Sequence, residues 1–259
     1  MFPSRTVVTL LNAVPGPIAA RFRHDTLIAR ALRPLVRRLV PTRPTWVVVR
    51  SGAARGLSLL IDPRDEKYYW SGTHEVPVQQ VLTGLLRPGM TFWDIGAHIG
   101  FFSMFASRVL GAAGRVHAFE PMETNRGRLA AGIEMNRLTN VTVHDFAMSA
   151  RPGRTVLRAS ASSLMWTLVP ERGGPEGVGI SCRTLDDCTA AFGPPDVIKI
   201  DVEGAEVDVL RGGLHLLSTL RRPLLVEFSD DGLVDEARSL LPFYGFQRLA
   251  PHHFLLCAG

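Results

Sequence analysis

The sequence contains very little lysine, few cysteines and no long uninterrupted apolar run. Only Lys67 and Lys199 are lysines among the 29 basic residues, and the rest are arginine. Because lysine is scarce everywhere, this bias does not by itself indicate a nucleic-acid interface, and we expect no nucleic-acid partner. No apolar run approaches the ~20 residues that a membrane-spanning helix needs. Cys182, Cys188 and Cys257 are odd in number and lack metal-ligand spacing, which indicates a reduced, cytoplasmic protein.

The net charge of +5 is concentrated near the N-terminus. Residues 1–55 hold ten arginines and one acid, Asp25, a balance of +9, so residues 56–259 carry −4. The pattern at residues 18–40 predicts two helical pieces separated at Pro34. Their basic side either faces solvent or makes a peripheral contact with an anionic surface such as lipid, a glycolipid or a partner protein. The sequence leaves both open and does not indicate an oligomeric state.

The domain organisation follows from the position of the regular elements. We expect residues 1–62 to form a basic helical segment and a small hairpin, and residues 63–259 to form one α/β domain. Residues 62–78 are rich in aromatic and charged side chains and precede the first long strand, so they either cover a site as a lid or simply pack. Residues 151–185 interrupt the pattern and are expected to form an inserted hairpin and loop.

From Thr91 onward, short apolar runs alternate with segments of helical spacing. This alternation predicts a mostly parallel sheet with helices on both faces, a Rossmann-like α/β fold. The last two strands are joined by a short turn and must therefore be antiparallel. The predicted strands are Thr91–Ile95, Arg115–Glu120, Val141–Phe146, Asp196–Val202, Pro223–Phe228, Phe246–Ala250 and Phe254–Ala258. The predicted helices are Val76–Leu86, Phe101–Leu110, Asn125–Asn136, Glu206–Leu217 and Leu233–Leu241.

The first strand–helix–strand unit has the features of a nucleoside-cofactor site. Its turn reads DIGAHIG, with an acid where a dinucleotide-binding turn has its first glycine. Glycines let a backbone approach a ligand closely, and the amides at a helix start point outward. A carboxylate there would repel a pyrophosphate but suits the amino group of S-adenosylmethionine. The cofactor-binding candidates in this turn are Asp94, Gly96, Ala97, His98 and Gly100.

Three further positions are candidates for cofactor contacts. Glu120, followed by Pro121, ends the second strand where an acid meets ribose hydroxyls in such units. Asp145, Phe146 and Ala147 follow the third strand and could contact adenine. Glu75, in the aromatic segment, is also counted among the cofactor-binding candidates. A nicotinamide-dependent oxidoreductase and a non-catalytic nucleotide-binding protein remain alternatives, although the acid in the turn disfavours the former.

The fourth strand ends in a dense group of ionisable residues, KIDVEGAE. Lys199, Asp201 and Glu203 alternate with apolar residues and are expected on one face of the strand. Such a group marks either a functional site or a structural ion-pair network. The candidates for a base or positioning group are Asp201, Glu203, Lys199, Glu227 and His98. No metal site is predicted, although this carboxylate cluster could hold a divalent cation.

Four motifs in order, DIGAHIG, AFEP, KIDVEGAE and PLLVEF, together resemble the FkbM family of S-adenosylmethionine-dependent methyltransferases. The resemblance runs from about Tyr68 to the C-terminus and leaves residues 1–60 outside. It implies a seven-stranded methyltransferase sheet with an antiparallel last strand. It also implies methyl transfer to the oxygen of a small-molecule acceptor, such as a sugar, a glycolipid or a polyketide-type natural product. His98 stands where many relatives have asparagine.

Overall fold

A computed structural model describes residues 42–159, 166–169 and 177–259. The predicted helices at residues 18–40, and the anionic surface contact suggested for them, lie outside the described residues. No helix within the described ranges is long and apolar enough to cross a membrane. All three cysteines are free thiols.

The centre of the fold is a sheet of seven strands: β3 Thr91–Ile95, β4 Arg115–Phe119, β5 Val141–His144, β10 Val197–Ile200, β11 Leu224–Glu227, β12 Tyr244–Arg248 and β13 His253–Ala258. Their order in the sheet is β12–β13–β11–β10–β3–β4–β5. Neighbouring strands are parallel, except that β13 runs antiparallel to both β11 and β12. The predicted fold class is thereby confirmed, including the antiparallel last strand.

Helices cover both faces of this sheet, so its central strands are buried on both sides. One apolar cluster contains Trp93, Ile198 and Val226, and the other contains Phe92, Val197 and Leu225, so alternate residues of one strand face opposite layers. The helices are α1 Lys67–Ser71, α2 Val76–Leu85, α3 Phe101–Leu110, α4 Glu123–Met135, α5 Leu185–Phe192, α6 Glu206–Arg211, α7 Leu214–Leu220 and α8 Asp231–Leu240.

Two helical predictions differ from the structure. The helix predicted at residues 206–217 is split into α6 and α7 at Gly212 and Gly213. A Cβ at Gly212 would lie 2.2 Å from the Ser149 carbonyl oxygen, so this break accommodates a neighbouring loop. Helix α5 was not predicted, yet Thr184 caps it by accepting a hydrogen bond from the Asp187 amide at 3.0 Å.

Two smaller sheets flank the main one. Strands β1 Thr45–Val48 and β2 Ser58–Ile61 form the predicted antiparallel hairpin, and their apolar side chains belong to the same core cluster as α3. The segment at 151–185 holds more than one hairpin. Its strands β7 Gly153–Ala159, β8 Trp166–Val169 and β9 Val178–Arg183 join β6 Ala147–Met148 in a four-stranded sheet ordered β6–β9–β7–β8.

Candidate functional site

A cleft of about 360 Å³ opens at the carboxyl ends of β3, β4, β10 and β11. This is the edge where open α/β sheets bind their ligands. Most of the residues predicted from sequence line it, namely Glu75, Gly96, His98, Glu120, Pro121, Phe146, Ala147, Asp201, Glu203 and Glu227. Asp94, Ala97, Gly100 and Lys199 are buried behind this lining, and Asp145 is exposed outside it.

The turn after β3 needs its glycines for backbone shape and for contact with a neighbouring loop. Gly96 has φ +81°, and a Cβ there would lie 1.7 Å from the Asp201 carbonyl oxygen. Gly100 has φ +85°, and its Cβ would lie 2.1 Å from Leu129. Gly96 therefore allows the turn after β3 and the acidic loop after β10 to touch.

The amides of this turn are used within the protein. Gly96 and Ala97 both donate to the Phe119 carbonyl at 3.0 Å. The His98 amide donates to Glu120 Oε2 at 2.9 Å, and the Gly100 amide donates to the Ala97 carbonyl at 2.8 Å. Because these donors are engaged, they are not available to hold phosphate oxygens in the manner of a dinucleotide-binding turn.

Asp94 is a buried carboxylate with one oxygen left without a partner. Ser103 donates a 2.5 Å hydrogen bond to Oδ2, whereas Oδ1 forms no hydrogen bond in the described part of the chain. Burial raises the pKa of Asp94, and the nearby ammonium of Lys199 opposes that rise. A buried acceptor of this kind is unfavourable unless a donor, such as a ligand ammonium, reaches it.

Glu120 is held rigidly at the end of β4. Its Oε1 accepts the Met122 amide at 2.8 Å and its Oε2 accepts the His98 amide. Burial raises the pKa of Glu120 to about 7, although both amide hydrogen bonds favour its charged form. The carboxylate is thereby fixed with its remaining lone pairs available to the cleft.

The wall beside Glu120 is apolar. Phe119, Met122, Phe146, Met148 and Leu157 line the cleft there, the last from the inserted sheet. The Arg183 guanidinium lies 4.6 Å from the centre of the Phe146 ring and helps to fix that ring in place. This wall presents an apolar surface of the kind that a purine ring contacts.

The opposite wall carries the acidic residues. Lys199 donates a 2.8 Å hydrogen bond to Asp201 Oδ2 and lies over the Phe102 ring. Burial lowers the pKa of Lys199, but the carboxylates of Asp201, Glu75 and Asp94 outweigh this effect and raise it, so this lysine stays charged. Burial raises the pKa of Asp201 to about 6 despite Lys199.

Glu203 differs from its neighbours in backbone and in charge environment. Strand β10 ends at Ile200, and Glu203 has φ +55°, so strand alternation does not set its direction. Burial, together with the nearby carboxylates of Asp201 and Glu227, raises the pKa of Glu203 to about 7. A carboxylate with this pKa is a competent base at neutral pH.

His98 contacts two side chains of the segment at 62–78. Its Nδ1 lies 3.1 Å from the Tyr69 hydroxyl, and its Nε2 lies 3.7 Å from Glu66 Oε1. The buried Glu66 carboxylate also pairs with the Arg128 guanidinium. Burial and the charge of Arg128 lower the pKa of His98 to about 3, so its imidazole is neutral.

Sequence reasoning did not single out His253. It starts β13, directly opposite Glu227 in the register between β13 and β11. Its Nε2 lies 3.1 Å from Glu227 Oε2 and 3.3 Å from Glu75 Oε2. The antiparallel last strand could have revealed it, because such a strand begins at the edge where β11 ends.

The segment at 62–78 contributes a second group of lining residues, Tyr68, Tyr69, His74 and Glu75. The ring centres of Tyr68 and His74 are 5.0 Å apart and stacked, and His74 Nε2 lies 2.7 Å from Glu75 Oε1. These aromatic side chains pack on one another and also form one wall of the cleft.

Comparisons with known proteins agree with this architecture. A family model described as "Methyltransferase FkbM domain" matches residues 94–248. A relative from Streptomyces tacrolimicus, "31-O-demethyl-FK506 methyltransferase FkbM", is 30% identical over 199 residues, which is 64% of this chain and 75% of that protein. "Methyltransferase sdnD" of Sordaria araneosa is 27% identical over 190 residues, which is 59% of this chain and 72% of that protein.

A solved structure is also similar. The crystal structure of methyltransferase FkbM from Methylobacillus flagellatus has a TM-score of 0.48 and 22% sequence identity, over 74% of this chain and 52% of that one. The present chain thus spans about half the length of that crystallised protein. Since the family model covers more than half of the sequence, the resemblance of the four motifs is confirmed, and the chain belongs to the FkbM family of methyltransferases.

Proposed function

We propose that the protein is an S-adenosylmethionine-dependent O-methyltransferase that acts on a hydroxyl of a small molecule, such as a sugar, a glycolipid or a polyketide-type natural product. The observation that carries this proposal is the position of Glu203. This carboxylate, with a pKa of about 7, lines the same cleft as the turn at 94–100. Membership of the family supports methyl transfer as the reaction. The carboxylates that line the cleft support a hydroxyl oxygen as the methyl acceptor.

The residues of the cleft fit the cofactor. Asp94 offers a buried oxygen without a partner, which suits a methionine ammonium. Glu120 is anchored by two amides and can accept hydrogen bonds from ribose hydroxyls. The apolar wall around Phe146 and Ala147 suits adenine, whereas the exposed Asp145 is the weakest of the sequence candidates.

Bound S-adenosylmethionine supplies a methyl group that is already electrophilic, so the protein mainly has to align the acceptor oxygen and remove its proton. Glu203 is about half ionised at neutral pH and can accept this proton. Lys199 stays charged and holds the Asp201 carboxylate in a fixed position. His98 is a much weaker base because its pKa is about 3.

The polarity of the acceptor side supports a hydroxyl-bearing substrate. Glu75, Asp201, Glu203 and Glu227 all line the cleft, and carboxylates accept hydrogen bonds from vicinal hydroxyls. The name of the Streptomyces relative likewise refers to an oxygen-linked methyl group, on a 31-O-demethyl-FK506 acceptor. A nicotinamide-dependent activity is disfavoured because four amides of the turn already have acceptors in the protein, those of Gly96, Ala97, His98 and Gly100.

The cofactor proposal is tested by calorimetric titration with S-adenosylmethionine. We expect Asp94→Asn and Glu120→Ala each to weaken binding by roughly 10- to 100-fold, since each removes hydrogen bonds to a charged or anchored group. Glu123→Ala, at an exposed position three residues beyond Glu120, is the matched control and should bind as wild type. Unchanged affinity in both site variants, or tight binding of NADH by the wild type, would reject the cofactor assignment.

The acceptor is tested by incubation with S-adenosylmethionine carrying a labelled methyl group and a panel of sugars, glycolipids and macrolides. Mass spectrometry should detect a product heavier by one labelled methyl group, with the label on oxygen. The Glu203→Gln variant should bind the cofactor normally but form this product much more slowly. A protein that binds the cofactor yet methylates no member of a broad hydroxyl panel would favour a non-catalytic role.

A further inference from the structure

Glu75, Glu227 and His253 form a group of ligating atoms next to the proposed base. The two carboxylate oxygens and one ring nitrogen all lie within 4.8 Å of one another. The individual separations from His253 Nε2 are 3.1 Å to Glu227 and 3.3 Å to Glu75. The proposed methyl transfer uses Glu75 and Glu227 only as hydrogen-bond acceptors toward the substrate, and it gives His253 no role.

The fold brings these side chains together from three separate elements. Glu227 ends β11, and His253 begins the antiparallel strand opposite it. Glu75 lies just before α2 in a left-handed conformation with φ +41°. His74 holds Glu75 Oε1 at 2.7 Å, which leaves Glu75 Oε2 directed at the other two residues.

A second observation indicates that a ligand belongs here. The Glu75 side chain is only 10% exposed, and its Oε2 forms no hydrogen bond within the described ranges. His253 lies at ion-pair distance, but neither of its ring nitrogens forms a hydrogen bond in that part of the chain. Glu75 Oε2 and His253 Nε2 thus face each other across 3.3 Å without a well-formed hydrogen bond, an arrangement that a cation bound between them would complete.

The spacing of the donors fits a metal ion. Ligands bonded to one cation at roughly 2.0–2.2 Å lie about 3.0–3.5 Å apart when they are adjacent in an octahedral or tetrahedral arrangement. The two measured separations from His253 fall within that range. One imidazole nitrogen with two carboxylate oxygens is a donor set that suits Mn²⁺, Fe²⁺, Co²⁺ or Zn²⁺ better than Mg²⁺.

We propose that Glu75, Glu227 and His253 bind a divalent transition-metal cation. Three protein ligands leave coordination positions open toward the cleft, because Glu75 and Glu227 also line it. Two neighbouring oxygens of an acceptor can occupy these positions, which would hold one hydroxyl beside Glu203. This orienting role rests on the proposed methyl transfer, whereas binding of the cation does not.

The test uses metal-stripped full-length protein, titrated with Mn²⁺ alone and followed by electron paramagnetic resonance. Wild type should bind one ion per chain, and Glu75→Gln and His253→Gln should each bind at least ~10-fold more weakly. His252→Gln, an exposed neighbour, is the control and should match wild type. No saturable binding by wild type, or wild-type affinity in His253→Gln, would overturn the proposal in favour of a protonated His253 bridging two carboxylates.

A second measurement needs no variant and therefore does not depend on variant folding. Substoichiometric Mn²⁺ should broaden the imidazole signals of His253 in the wild-type spectrum and leave sharp those of His215, which lies on α7 and does not line the cleft. Equal broadening of both would reject the site. The calorimetric titration with S-adenosylmethionine should be run in EDTA, so that it reports on the methyl-donor site alone. Failure of the cation site and failure of the methyl-donor assignment then give different results.

Discussion

Replacing Glu203 with glutamine should stabilise the folded protein at neutral and alkaline pH while slowing methyl transfer. The side chain lines the cleft between two other carboxylates, and burial and these neighbours raise its pKa to about 7 from an ordinary value of 4.5. The folded protein therefore binds the Glu203 proton more tightly than the unfolded chain does. Ionisation of Glu203 consequently favours unfolding.

The size and sign of the effect follow from this difference. At about 1.36 kcal/mol for each tenfold change in acidity, the full ionisation penalty is about 3 kcal/mol, and partial exposure reduces it to about 2 kcal/mol. Below pH ~4.5, Glu203 is neutral in both states and glutamine gives no advantage. The advantage grows as the unfolded chain ionises and is complete above pH ~7. It corresponds to an increase in Tm of about 5 °C for a chain of this size.

Urea unfolding between pH 4.5 and 8.5 in EDTA measures this difference. Glu123→Gln, on the exposed side of α4, is the control and should follow the wild-type curve throughout. The same Glu203→Gln protein should have a reduced kcat with little change in cofactor affinity. If Glu203→Gln is less stable than wild type at pH 8, or differs from it by the same amount at every pH, the inference that ionised Glu203 destabilises the folded protein is refuted.

Three further predictions concern the support of the site. Gly96→Ala should cost at least ~2 kcal/mol in urea unfolding and abolish cofactor binding, because its Cβ would meet the Asp201 carbonyl at 1.7 Å. Gly111→Ala, with φ +66° and open space, should cost only ~1 kcal/mol. Arg128→Met should lower stability by about 3–5 kcal/mol in thermal melts, since it leaves the buried Glu66 carboxylate unpaired. The exposed Arg211→Met should change stability by less than ~1 kcal/mol, and equal effects would contradict the burial argument. Ser103→Ala should weaken S-adenosylmethionine binding by about tenfold because Asp94 loses its hydrogen bond, whereas Ser107→Ala on the same helix should leave that affinity unchanged.

The sheet was predictable from the sequence because local pattern and global topology agree. Short apolar runs separated by helical segments permit little other than a parallel sheet, and β3 and α3 have the expected bounds. The split between α6 and α7 was not predictable, since it depends on how closely the Ser149 loop approaches Gly212. The inserted four-stranded sheet was likewise missed in part, because β6 pairs with β9 across a gap of about 30 residues.

The candidate site shows the same division. The carboxyl ends of parallel strands meet at one edge, so Glu120, Asp201 and Glu227 could be grouped from sequence alone. The sequence did not reveal that the glycine turn makes its contacts within the protein. Its amides donate hydrogen bonds to the end of β4, and Gly96 packs against the loop at Asp201. Nor did the sequence place Glu75 beside His253. Glu75 itself has a left-handed backbone conformation, and this conformation sets the direction of its carboxylate.

The two proposals are linked through the charge of the cleft. Glu227 is one of the carboxylates that raise the pKa of Glu203, and it is also a ligand of the proposed cation. A divalent ion held by Glu75, Glu227 and His253 would neutralise the two carboxylate charges near Glu203 and so favour the ionised form of Glu203. The acidic limb of the pH–rate profile, expected near pH 7 in EDTA, should therefore move to lower pH when Mn²⁺ is added. An ion that binds with one-to-one stoichiometry but leaves this limb in place would lie too far from Glu203 to orient the acceptor beside it.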